Sequence, residues 1–164
     1  MALTRASRGT HSADVPLAPQ VQRWISHMPL DTYAYFFVRE FEGDAKMISE
    51  LLQLSPTRTW QKNEKGVAGR PRTFSNWELH SPLPRTEVFQ DSHLLALLDI
   101  LEGKRECVMQ AISKFECGLQ GVGYYTNENP GFHMSSQLIS RIATFSLSVD
   151  FDLYCHCDHE QSES

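Results

Sequence analysis

At 164 residues with 41% hydrophobic content, the chain is long enough to bury one sizeable core and too short to expect two. Lysine and arginine total 15 against 20 acidic residues, a formal net charge of -5, which argues against binding duplex nucleic acid by bulk charge but leaves room for a local basic patch. No apolar run approaches the roughly 18 residues of a membrane helix. The start, Met1 to Pro19, lacks an apolar signal core, so a cytoplasmic protein without membrane contact is expected.

Residues 1–20 have no periodicity and the composition of a disordered tail, leaving a single domain over 21–154 and a polar tail over 155–164. The first strand is read over Tyr33 to Glu42. Tyr33, Tyr35, Phe37 and Phe41 fall on one face and Ala34, Phe36 and Val38 on the other, the double-sided apolarity of an interior strand. Asp44 can cap a helix carrying Met47, Ile48, Leu51 and Leu52, which stops before Ser55-Pro56. Thr57 to Pro71 is polar and loop-like. Strand character returns over Thr73 to Ser81, with Ser75, Trp77 and Leu79 sharing a face, and Pro82 and Pro84 end it.

Thr86 can cap a helix whose apolar positions are Phe89, Leu94, Leu97, Leu98 and Leu101. After Glu102-Gly103, a second helical run places Cys107, Val108, Ala111, Ile112 and Phe115 on one side. A strand over Leu119 to Tyr125 contains Gly121 and Gly123, and strand glycines mark bulges or close approach of other groups. A polar turn over Thr126 to Gly131 leads to a helix capped by Ser135, with Leu138, Ile139, Ile142 and Phe145 apolar. In the last strand Leu147, Val149, Phe151 and Leu153 alternate with Ser148, Asp150, Asp152 and Tyr154. The order strand-helix-strand, two helices, strand-helix-strand predicts an α+β fold: a two-layer mixed β-sheet with its helices mainly on one face.

Several segments together carry a family resemblance. They are the aromatic first strand with its Asp44 helix, Ser55 to Trp60, Phe74 to Leu79, Asn129-Pro130-Gly131 with the helix after it, and Asp150 to Tyr154. Over about Thr32 to Tyr154 the chain resembles the bacterial domain-of-unknown-function family forty-two seventy-nine. The resemblance implies a small bacterial α+β domain and brings no established activity, substrate or catalytic residue. Two features depart from the pattern: the basic character of Gln61 to Arg72, and the Cys-His-rich end.

Between residues 58 and 72, Arg58, Lys62, Lys65, Arg70 and Arg72 face Glu64 alone, with Trp60 inside the stretch and Trp77 beyond it. Cations beside aromatics can hold a phosphate, a nucleotide or a single strand by ion pairing and stacking; the plainer reading is a solvated loop whose tryptophans belong to the core. Asp150 and Asp152 share a face with Tyr154. Paired carboxylates can serve acid/base chemistry or bind a metal, or simply form the wet face of a half-covered sheet. The candidate ligand-binding set is therefore Arg58, Trp60, Lys62, Arg70, Arg72, Trp77, Asp150 and Asp152.

Cys155, Cys157 and His159 offer soft ligands, but they are compressed into five residues without a distant second pair, so no metal is expected. Cys107 and Cys117 have no nucleophile signature and the thiols are read as reduced; the turn Asn127 to Gly131 could receive an anion or be ordinary turn chemistry. Nothing fixes the mutual distance of His80, His93 and His133, and no nucleotide-binding, metalloprotease or nucleophile-elbow motif occurs, so no catalytic residue and no cofactor are assigned. The leading expectation is a non-enzymatic module with a protein partner, an immunity-like role against a toxin being one form. The alternative is an enzyme or ligand-binding domain that takes a phosphorylated small molecule or nucleic-acid end through the basic loop and the aspartate pair.

Overall fold

Tyr33 to Val38 is apolar on both faces, and a strand of that kind has to lie between two others. The computed structural model, which describes residues 31–125 and 133–155, places it at the centre of a five-stranded open sheet. In chain order the elements are β1 (Asp31–Arg39), α1 (Ala45–Leu52), β2 (Arg58–Trp60), a 3-10 turn (Val67–Gly69), β3 (Asn76–His80), α2 (Gln90–Glu102), α3 (Arg105–Ile112), β4 (Glu116–Tyr125), α4 (Ser136–Ala143) and β5 (Ser148–Cys155). The strand order is β2-β3-β1-β4-β5. Strand β1 is antiparallel to both neighbours, β2 is antiparallel to β3, and β4 and β5 are parallel across the α4 connection. The expected tail over 1–20, the turn Asn127 to Gly131 and the end beyond Cys155 lie outside the described residues.

The helices cover one face. Ala34, Phe36, Val38, Trp77 and Leu119 point into that layer and meet Leu94, Leu97, Leu98 and Leu101 of α2, Ile48 and Leu52 of α1, Val108 of α3 and Leu138 of α4. Two caps read from the sequence are formed: the Asp44 carboxylate accepts from the Lys46 N–H at 2.9 Å, and the Ser135 hydroxyl from the Leu138 N–H at 3.1 Å. Among the described residues no helix is long and apolar enough to cross a membrane.

Four local expectations are corrected. Strand β1 stops at Arg39 because Glu40 turns into the left-handed region at φ 58°, and Phe41 is thereby swung into the core instead of joining Tyr33, Tyr35 and Phe37. The stretch read as loop after Thr57 contains β2, which pairs with β3 through Arg58↔Glu78, Thr59↔Trp77 and Trp60↔Asn76. Thr86 does not cap α2; the chain makes a turn at Pro84 to Glu87 and the helix begins at Gln90 with no side-chain cap. Strand β4 starts earlier, at Glu116.

Two glycines of β4 sit where a side chain would collide. A Cβ on Gly121 would fall 2.7 Å from the Phe151 ring on the helix side, and one on Gly118 would fall 2.5 Å from Phe37 on the opposite side.

Candidate functional site

The strand period of two puts the remaining side chains on the sheet face away from the helices. Across β2, β3 and β1 these are Arg58 and Trp60, then Asn76, Glu78 and His80, then Tyr33, Tyr35, Phe37 and Arg39. Strands β4 and β5 add Gln120, Val122 and Tyr124, then Asp150, Asp152 and Tyr154.

At the centre of this face Glu78 is buried, and a buried carboxylate has to be hydrogen-bonded. One oxygen accepts from the Asn76 amide at 2.8 Å and the other lies 3.0 Å from His80 Nε2. The His80 ring lies nearly parallel to Tyr33 and Tyr35, with centroids 5.5 and 5.2 Å away. Burial, reinforced by the Glu78 charge, pushes the Tyr35 hydroxyl up to about 12; burial also raises Tyr33. The Arg85 guanidinium covers Tyr33 at 3.9 Å and pairs with Asp31 at 2.6 Å.

Towards β2 the face changes character. Arg39 lies over Phe37 at 3.8 Å, and its Nε and the Oδ1 of its cross-strand neighbour Asn76 are both buried without a hydrogen-bond partner. Beyond Phe74 stands Trp60, with the guanidinium carbons of Arg58 and Arg72 at 4.9 and 4.3 Å from its ring centroid. Arg72 is carried there by a hairpin arm. The Asn63 N–H donates to the Arg72 carbonyl at 2.9 Å, the Arg72 N–H to the Glu64 carbonyl at 2.8 Å and the Gly66 N–H to the Arg70 carbonyl at 2.8 Å. Between arm and strand is a cleft of about 270 Å³ lined by Trp60, Gly66, Val67, Arg70, Pro71, Arg72, Thr73 and Phe74.

The family model described as Domain of unknown function (DUF4279) matches residues 30–156. The chain belongs to this family. No curated protein and no solved structure matches it.

Within this DUF4279 domain the residues singled out from the sequence are divided among three places. Arg58, Trp60, Arg70 and Arg72 come together at the arm, with Lys62 exposed at its base. Asp150 and Asp152 are exposed on β5, and β3, β1 and β4 lie between them and Arg58. Trp77 is on the other side of the sheet, fully buried, its indole N–H donating to Ser49 Oγ at 3.0 Å. Among the described residues no group of three or more His, Cys, Asp or Glu side chains is placed to hold a metal ion.

The histidines are equally dispersed: His80 is on the sheet face, His133 is exposed, and His93 is buried in α2 between Ser81 Oγ and the Glu87 carbonyl, 3.0 Å from each. Cys107 and Cys117 are free thiols, and burial pushes Cys117 up to about 12. Sequence reasoning missed Arg39, Asn76 and Glu78. The signal was present, because Asn76, Glu78 and His80 alternate with Ser75, Trp77 and Leu79.

Proposed function

We propose that this DUF4279 domain is a non-enzymatic binding module that holds a protein partner on the sheet face opposite its described helices. The observation that carries this reading is the row of aromatic rings across three strands, Tyr33 and Tyr35, Tyr124 and Tyr154, on a face that no described helix covers. Tyrosines of this kind supply apolar area with a polar tip, the chemistry of protein interfaces. Tyr124 and Tyr154 stack at 4.9 Å, and Tyr154 is 45% exposed. The separation of Asp150 and Asp152 from the arginines favours this account over an enzyme that brings both groups to one substrate, since such sites are concave and convergent.

The test uses a photo-crosslinking amino acid placed at Tyr154 or at Met109, which is 40% exposed on α3 and so controls for accessibility. A defined protein adduct is expected from position 154 and none from 109. That partner should then bind Tyr154→Lys at least about tenfold more weakly, with the melting temperature unchanged, because a charge replaces apolar contact area. Adducts from 109 alone, or equal binding by the variant, would move the interface elsewhere.

A further inference from the structure

We infer that the arm and β2 form a binding site for a small phosphate monoester carried on an apolar or aromatic body. This does not rest on the partner-binding reading, since it uses a different part of the chain.

The argument begins with charge. Among the described residues none of Arg58, Arg70 and Arg72 takes part in an ion pair, and the one acid of the arm, Glu64, accepts the Gln61 N–H at 2.9 Å. Arg58 and Arg72 are both held against one indole, and neither has a carboxylate within ion-pair distance among the described residues. Such an arrangement is relieved by an anion. A guanidinium lying over a ring still holds its five N–H donors in its own plane, free to meet oxygen at the ring's margin. Two guanidiniums held against one ring, with Arg70 beside them in the cleft, match the three oxygens and double charge of a phosphate monoester better than the two oxygens of one carboxylate.

Geometry then limits what the phosphate is attached to. Val67, Pro71 and Phe74 supply apolar walls next to Arg70 and Arg72. At about 270 Å³ the cleft falls just below the roughly 300–1,000 Å³ of sites that enclose drug-sized ligands, so it suits a charged group on a small body. The arm is built for this placement: a Cβ on Gly66 would sit 3.0 Å from Arg72 Nε, so the glycine leaves the space through which Arg72 reaches Trp60.

The experiment titrates the full chain with phenyl phosphate, inorganic phosphate and benzoate, following calorimetric heat and the indole N–H resonance of Trp60. Phenyl phosphate should bind saturably, more tightly than either of the others, and more weakly as salt is raised. Arg70→Ala and Arg72→Ala should each lower its affinity at least about tenfold. Lys62→Ala, outside the cleft, should leave it within about twofold. Gly66→Ala, at a φ of -82° that alanine accepts, should weaken binding without removing any charge. Benzoate binding as tightly as phenyl phosphate, no saturable binding of phenyl phosphate at low salt, or unchanged affinity in Arg70→Ala and Arg72→Ala variants that keep the parent's amide spectrum would each overturn the assignment.

Discussion

Tyr35 shows how a side chain on the sheet face away from the helices is made part of the interior. It is flanked by His80 and Tyr33, and its hydroxyl keeps its proton up to about pH 12 because burial and then Glu78 disfavour the phenolate. An acid whose folded pKa is raised contributes stability that is complete below its unfolded value near 10 and is lost as pH rises from there to about 12. With solvent screening of a partly exposed ring allowed for, the loss is on the order of 1–2 kcal/mol for Tyr35, and Tyr33 adds in the same direction. Chemical denaturation at a series of alkaline pH values should therefore show a steep fall that Tyr35→Phe makes shallower; an equally steep fall in the variant would assign it to other groups. The face that Tyr33 and Tyr35 share was legible from alternation. That Glu78 and His80 share a face was equally legible, but their placement beside Tyr35 and Phe37 was not, because register between strands is set by pairing that a one-strand pattern does not contain.

Among the elements, β4 carries two glycines at positions of close packing. Phe37, 1% exposed, has its ring edge against Gly118 and the Arg39 guanidinium 3.8 Å over its face, so a new methyl at Gly118 would push the ring within an already packed place. Gly118→Ala would place a methyl 2.5 Å from Phe37 Cζ and 2.9 Å from Ser148 Oγ, and is expected to cost about 1–3 kcal/mol. A urea midpoint lowered at unchanged slope would report that cost, whereas an unchanged midpoint would mean that the ring can move aside. The helices and the long strands were legible because each repeats its period several times. Strand β2 escaped notice because Arg58, Thr59 and Trp60 are too few to show a period, and because a basic polar stretch reads as loop unless its pairing with β3 is known.

For the molecule as a whole, the helix layer is pinned to the sheet through Trp77, which is fully buried, edge-on to Phe36 at 6.3 Å and hydrogen-bonded to Ser49 of α1. Trp77→Ala should destabilise by about 3–5 kcal/mol, a large share of the total for a chain this size. Trp60→Ala should cost clearly less, since Trp60 is only half-buried and lies on the side of the sheet away from Trp77 and the helix layer. Comparable losses in denaturant for the two variants would mean that the arm is part of the folding unit. The mixed, one-sided architecture was legible from element order, but the division of the candidate ligand residues into three separate places was not. Adjacent basic and aromatic residues give no sign in sequence of which side of a strand the chain will spend on its core, and here Trp60 and Trp77 take opposite sides.

The central position of β1 also bears on how the chain is made. Phe36 pairs with Leu79 on one side and with Leu119 on the other, so the strand emerges from a ribosome long before its second neighbour exists. At about 5–20 residues per second the delay is on the order of ten seconds. Throughout it, Tyr33 to Val38 is an apolar ribbon with an unfilled edge, the form in which nascent segments associate with one another. A nascent chain arrested before Glu116 is therefore a client for chaperones in a way that the finished chain is not.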